Sequence, residues 1–345
     1  MQDLSNTNIK STAFGRGAAR GVAAEGRLGR FVVCTMHIPW SLARDVVGGA
    51  PVAVLMVESM EEHVLEQQLQ SVPECDTFLG VGGGQAVDMA KYFSWRRGKR
   101  LVTIPTVISV DAFVTPSAAI RRDSEVAYVG MASPDPLVID YDLIRTAPRE
   151  FNVAGVGDIL SIHTAVYDWE LAEQRGKSEY PFSSSAVQNA RSILAQVLSK
   201  ADDIASMSDA GIQCIVDAYM AVNTICIPAG HYRVEEGSEH YVFYALEKRY
   251  QKSFIHGHVV GLGVYLMSRL QGNGGERIAQ FMNSIGLKYH PCDLSVGRGD
   301  LKEILLTLKD FVNSRKDLWY TVINEREWSE ELVEQLMDGL HFSVN

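Results

Sequence analysis

Residues 80–91 read GVGGGQAVDMAK and constrain the chain more than any other stretch. An apolar segment with strand character, Thr77-Phe78-Leu79, leads into them, and residues 85–95 have helical character. Gly82, Gly83 and Gly84 let the backbone turn sharply and approach a ligand without Cβ atoms in the way. A helix beginning near Gln85 presents unpaired N–H groups and the positive end of its dipole. Strand, glycine turn and helix start together predict a cradle for a pyrophosphate. The alternative is a tight turn with no ligand. The spacing differs from G-x-G-x-x-G, which excludes the standard dinucleotide fingerprint.

The 345 residues are enough for two domains with their own cores. The net charge of −10, with no basic block longer than RRGKR at 96–100, argues against nucleic acid and anionic membrane as partners. No apolar run is expected to reach the length of a membrane span. The first residues lack the apolar centre of a signal peptide, and Asp3 argues against a transit peptide. Cys34, Cys75, Cys214, Cys226 and Cys292 are scattered, without a C-x-x-C pair, which suits reduced thiols and a cytoplasmic location.

Up to about residue 148, strand-like and helix-like segments alternate. RFVVCTM (30–36), PVAVLMV (51–57), the segment before the glycine run and residues 101–104 read as strands, with a helix over 61–69. This alternation predicts a parallel sheet with covering helices. A β-ribbon is expected from 118–122 and 126–131 around a polar turn at 123–125, followed by a strand over 137–140 that Pro134 and Pro136 lead into. Beyond residue 149 the apolar spacing becomes helical at 186–200, 211–226, 259–270 and 301–312. The expected organisation is an α/β nucleotide-binding domain over 1–148 and an all-α domain over 149–345.

Three residues of the helical half have the chemistry of a metal centre. Asp158 lies in GVGD, where a helix is expected to begin; His240 lies in GSEH; His256 lies in FIHGH, before an apolar helix. One carboxylate and two imidazoles suit a divalent cation with an open coordination position. Taken one at a time, Asp158 also reads as an N-cap, His240 as a surface residue and His256 as a helix-start residue bonded to a carbonyl.

GGGQAVDMAK at 82–91, IPTVISVDAF at 104–113, GVGDILS at 155–161, GSEH at 237–240 and FIHGH at 254–258 occur together and in this order. As a set they resemble the iron-containing alcohol dehydrogenase superfamily over residues 14–270. Glycerol-1-phosphate dehydrogenases are the most similar group, then glycerol dehydrogenases, with dehydroquinate synthase more distant. The resemblance implies the dehydroquinate synthase-like fold, an α/β NAD(P)-binding domain followed by a helical metal-binding one. It implies that Gly82, Gly83 and Gly84 cradle the pyrophosphate with Asp88 nearby, and that Thr106, Ser109 and Thr115 touch the dinucleotide. It implies that Asp111 stands beside the reacting carbon and that Asp158, His240 and His256 hold Zn2+ or Fe2+. The implied activity is a metal-dependent NAD(P) oxidoreductase of a small polyol or polyol phosphate, falling off in acid because the histidines must be neutral to bind metal.

Three departures from the glycerol-1-phosphate dehydrogenases bear on substrate and cofactor. Tyr244 stands where those enzymes carry a second histidine that helps hold substrate. His163, five residues after Asp158, replaces part of a polar pair and either faces the substrate or packs. Both are expected to line the substrate side and move preference away from glycerol phosphate. The first central strand ends Cys34-Thr35-Met36-His37 without the acidic residue that binds an adenosine ribose, which leaves both NAD and NADP open. His258 is either a partner of the metal site or, by preference, solvent-facing. Two other functions are weighed. A sugar-phosphate cyclase of the dehydroquinate synthase type is disfavoured because its first metal ligand is normally glutamate. A non-catalytic binding protein is disfavoured by the complete Asp-His-His set. A homo-oligomer is compatible with the family.

Overall fold

A computed structural model describes residues 7–123 and 125–343; Ser124 of the expected polar turn, and Asp3 with the other first residues, lie outside the described residues. The chain divides into two compact units, Met1–Asn152 and Val153–Asn345. The division falls inside a helix, Arg149–Ile159, a little beyond the expected boundary at 148/149.

The first unit holds strands β1 (Thr12–Gly15), β2 (Phe31–Thr35), β3 (Ala53–Met56), β4 (Thr77–Gly82), β5 (Arg100–Pro105), β6 (Ala118–Arg122), β7 (Glu125–Val129) and β8 (Pro134–Asp140). Its helices are α1 (His37–Val47), α2 (Glu62–Ser71), α3 (Gly84–Arg97) and α4 (Tyr141–Ile144). Six strands form one sheet in the order β1-β8-β5-β4-β2-β3, and every adjacent pair is parallel. β6 and β7 form the antiparallel ribbon. The sheet is buried on both faces. Val32, Cys34 and Phe78 pack with α2 and α3 on one side, while Phe31, Val33 and Val81 pack with α1 on the other. A strand covered on both sides needs apolar residues without alternation, which is why FVVCT is continuous.

From β2 the chain crosses to the edge strand β3 and returns to β4 on the opposite side of β2. This reversal is the switch point at which open parallel sheets bind ligands beyond the carboxyl ends of their strands. The glycine run occupies that position. β4 is longer than expected and runs into the run itself, so Gly82 is its last residue, Gly83 the cap and Gly84 the first residue of α3. Pro134 and Pro136 lie within β8 rather than ahead of it. β8 pairs with β5 through an irregular register at that end, where a missing N–H is tolerated.

The second unit is helical among the described residues: α5 (Arg149–Ile159), α6 (Ser161–Gln174), α7 (Ser184–Leu198), α8 (Ala201–Ala205), α9 (Asp209–Ala229), α10 (Ser238–Tyr250), α11 (His256–Gln271), α12 (Gly275–Ile285), α13 (Pro291–Leu294), α14 (Arg298–Ser314), α15 (Val322–Glu325) and α16 (Glu330–Met337). The expectation that no run reaches the length of a membrane span is corrected by α9. This helix is long and apolar enough to cross a membrane by length and composition, and 56% of its apolar window is buried inside the protein, as suits a core helix.

Candidate metal centre and dinucleotide cradle

The second unit brings Asp158, His240 and His256 to one point, with their ligand atoms all within 4.8 Å of one another. Asp158 stands in the last turn of α5 rather than at a helix start, so the N-cap alternative does not apply. His240 is the third residue of α10, and His256 opens α11. His256 Nε2 lies 3.1 Å from Asp158 Oδ1 and 3.3 Å from His240 Nε2, and His240 Nε2 lies 3.5 Å from Asp158 Oδ1. Three ligand atoms around a tetrahedral cation with arms of about 2.0–2.1 Å stand roughly 3.3 Å apart, so the donor set fits zinc or ferrous iron.

Hydrogen bonds behind the ligands fix which atoms face the centre. His240 Nδ1 lies 2.9 Å from Glu239 Oε1; with that nitrogen donating to the carboxylate, the Nε2 lone pair of a neutral ring is directed at Asp158 and His256. Glu239 is fully buried and accepts two further hydrogen bonds, from the Gly237 N–H at 2.6 Å and the Thr164 hydroxyl at 2.6 Å. The second carboxylate oxygen of Asp158 faces the Tyr219 hydroxyl at 3.3 Å, and that hydroxyl donates to the Gly155 carbonyl at 2.7 Å. Burial opposes the charge on Asp158, but His256 and His240 outweigh it and hold its carboxyl below the usual range. Burial likewise opposes protonation of His240, and hydrogen bonds with Asp158 and Glu239 reverse this, so the metal-free imidazole keeps its proton well above the ordinary histidine value. Proton and metal ion therefore compete for the same nitrogen.

Close backbone contacts place the three ligand helices. A Cβ on Gly157 would lie 1.9 Å from the Gly257 carbonyl oxygen, and a Cβ on Gly257 would lie 1.8 Å from that of Ala154. α5 and α11 thus touch backbone to backbone, and the residues next to these glycines are the candidate ligands Asp158 and His256. α11 meets α10 the same way, since a Cβ on Gly263 would stand 2.3 Å from the Glu239 carbonyl oxygen.

The first unit gathers the dinucleotide candidates around the glycine run. The Thr106 N–H donates to the Gly82 carbonyl at 3.0 Å, which ties the end of β5 to the end of β4. Gly82 has φ +148°, a conformation that favours glycine. A Cβ on Gly83 would meet Val107 Cγ1 at 2.9 Å and one on Gly84 would meet Val110 Cγ1 at 3.0 Å, so the loop carrying Ser109 and Asp111 closes directly on the run. Asp111 begins a single 3-10 turn, Asp111–Phe113. The first turn of α3 has no side-chain cap, which leaves its N–H groups to an anion such as a pyrophosphate.

Asp88 lies in the second turn of α3, just beyond the glycine run. It is buried in α3 and paired with Lys91 Nζ at 2.7 Å. Lys91 in turn donates to the Ser117 carbonyl at 2.6 Å and the Thr115 hydroxyl at 3.4 Å, so the pair holds the segment that carries Thr115. His163 Nε2 bonds to the Asn273 carbonyl at 2.5 Å, and Asn273 Nδ2 donates to the His163 carbonyl at 3.1 Å, which ties α6 to the turn after α11. Tyr244 lies one helical turn beyond His240, their rings 6.4 Å apart, and its hydroxyl donates to Glu236. His258 is buried rather than solvent-facing.

Residues 37–148 match the family described as iron-containing alcohol dehydrogenase. A protein of Aeropyrum pernix named glycerol-1-phosphate dehydrogenase (NAD(P)+) is 31% identical over 280 residues, spanning 81% of this chain and 77% of that protein. The chain belongs to the glycerol-1-phosphate dehydrogenase family. A second member from Methanosarcina acetivorans is 32% identical over 248 residues, spanning 72% of this chain and 69% of its own. The crystal structure of glycerol dehydrogenase from Schizosaccharomyces pombe has the same fold, with a TM-score of 0.73 at 19% identity over 95% of this chain and 88% of that one. Family membership makes the chain an NAD(P)-dependent dehydrogenase with metal-binding potential. Within the family framework, sequence reasoning missed Glu239, Thr164, Tyr219 and the Gly157–Gly257 contact. Glu239 stands beside His240 in GSEH, but nothing in the local sequence announces their contact.

Proposed function

We propose that this family member oxidises a small polyol or polyol phosphate, or reduces the matching carbonyl, with NAD or NADP and a bound Zn2+ or Fe2+. The observation that carries the reading is the convergence of Asp158, His240 and His256, with Glu239 Oε1 standing 2.9 Å from His240 Nδ1 behind it. When bound, the metal supplies Lewis acidity that lowers the pKa of a coordinated substrate hydroxyl.

This chain's residues supply the rest. Asp158, His240 and His256 present one oxygen and two nitrogens from three helices, each held by a backbone crossing or a buried hydrogen bond. The Gly82–Gly84 turn and the uncapped start of α3 receive the pyrophosphate, and Thr106, Ser109 and Thr115 surround it. Asp111 is carried by the loop that closes on the glycine run. Met36 and His37, directly after β2, are not acidic, so neither dinucleotide is repelled there.

The test is reduced dinucleotide accumulation at 340 nm across a panel of polyols and their phosphates, with NAD and NADP, in zinc-loaded, iron-loaded and chelated enzyme. Metal-dependent accumulation of NADH or NADPH is expected. Turnover with no net reduced dinucleotide would overturn the reading in favour of a cyclase, which regenerates its NAD.

A further inference from the structure

We propose that Glu236 and Tyr244 form a specificity pair that selects an uncharged polyol over its phosphate ester at the metal centre. The proposal rests on the dehydrogenase reading above and names the substrate class for the same site.

Tyr244 and His240 are four residues apart on α10 and share a face. The face is closed on one side by Phe243, whose ring meets that of His256 edge-on at 4.6 Å. His240 and Phe243 are buried, whereas His256, Tyr244 and Glu236 are all partly exposed, so these three mark the approach to the centre. The tyrosine hydroxyl reaches back along the helix and donates to Glu236 Oε1. The other oxygen of Glu236 has no partner among the described residues and is able to accept a hydrogen bond from a ligand. A ligand held at the centre and extending along this face meets a carboxylate and a phenol.

The basic side chains at positions 231, 233, 248 and 249 have contacts of their own. Arg233 is fully buried, donates to the Tyr320 carbonyl at 2.9 Å and lies over the Trp319 ring, with its Nε and Nη1 enclosed and without a hydrogen-bond partner among the described residues. Lys248 lies over Phe311, and Arg249 pairs with Asp300 and Glu303. His231 is stacked on Tyr180, and burial pushes its pKa down. A phosphate on this face would meet the Glu236 carboxylate with none of these cations opposite it. A polyol hydroxyl instead donates to Glu236 and exchanges hydrogen bonds with Tyr244. The pair discriminates by repulsion as well as by attraction.

Dissociation constants for glycerol and glycerol 1-phosphate, read from the visible spectrum of the cobalt-substituted enzyme, test the pair without relying on turnover. The ratio of the phosphate constant to the glycerol constant should be about tenfold or more in the wild type, equivalent to about 1.4 kcal/mol. It should fall at least about tenfold in Glu236→Gln. Tyr244→Phe, which removes the hydroxyl anchoring Glu236, should lower the ratio in the same direction. A smaller wild-type ratio, or a smaller fall in a Glu236→Gln protein whose circular dichroism is unchanged, overturns the pair. Turnover is scored separately. Ligands that bind with the expected ratio but yield no NADH or NADPH overturn the dehydrogenase reading and leave the pair standing. Failure to load cobalt overturns the metal centre and the pair together.

Discussion

Glu239 shows how a single buried carboxylate governs a metal ligand it never replaces. Its three hydrogen bonds orient the His240 ring and fix its tautomer, so its removal should weaken metal binding rather than abolish folding. Glu239→Gln is expected to lower metal affinity about 10–100-fold, in the usual range for such supporting residues, and His240→Ala to lower it further. Metal titration followed by competition with a chromophoric chelator measures both, with circular dichroism confirming the fold. Asp168 carries a second residue-scale consequence. Burial first, and then the neighbouring Glu239, push its carboxyl up to about 6 from an unfolded value of 3.8. Between those values the folded chain keeps a proton that the unfolded chain lacks, so this group's contribution to stability is full below the unfolded value and is lost as pH rises through about 6. Urea denaturation of metal-free protein should show wild type losing roughly 2 kcal/mol relative to Asp168→Asn between pH 4 and pH 6.5, because each pH unit between the two values is worth at most about 1.4 kcal/mol. GSEH makes His240 legible in the sequence, but Glu239 beside it is not. Adjacent helical residues point about 100° apart, so neighbourhood in sequence does not announce contact.

Among the elements, the strands are legible where both faces of the sheet are covered, because unbroken β-branched and aromatic runs have few other uses. The helices are legible from their apolar period. Legibility fails where glycine serves a purpose other than punctuation. GVGD reads as a helix opening, yet Gly155 and Gly157 lie inside α5, and Gly157 is there so that α11 can approach. The partner of that contact is Gly257, far along the chain, and no periodicity within either segment reveals it. Asp88 is hidden for a related reason: its pairing with Lys91 depends on burial that the local sequence does not show. A methyl group at the crossing would have to drive α5 and α11 apart and would carry Asp158 and His256 with them. Gly257→Ala should therefore destabilise the protein by about 1–3 kcal/mol or more, as overpacking does. Its metal affinity should fall in parallel, measured by denaturation and metal titration on the same preparation. Full affinity in a destabilised variant would show that the crossing supports the fold without placing the ligands.

The whole molecule divides its labour by unit: the glycine cradle, Thr106 and Asp111 lie before Asn152, and all three metal ligands lie beyond Val153. That division decides what each bound species is able to protect. A species that binds only the folded form stabilises it by RT ln(1 + [L]/Kd), and the gain falls first on the structure whose opening breaks the site. Amide hydrogen exchange should register the difference. Dinucleotide should slow exchange chiefly in β4, β5 and the start of α3, and zinc chiefly in α5, α10 and α11. The cell's supply of metal would then set the lifetime of one half of the polypeptide against proteolysis, while its pool of NAD and NADP sets that of the other.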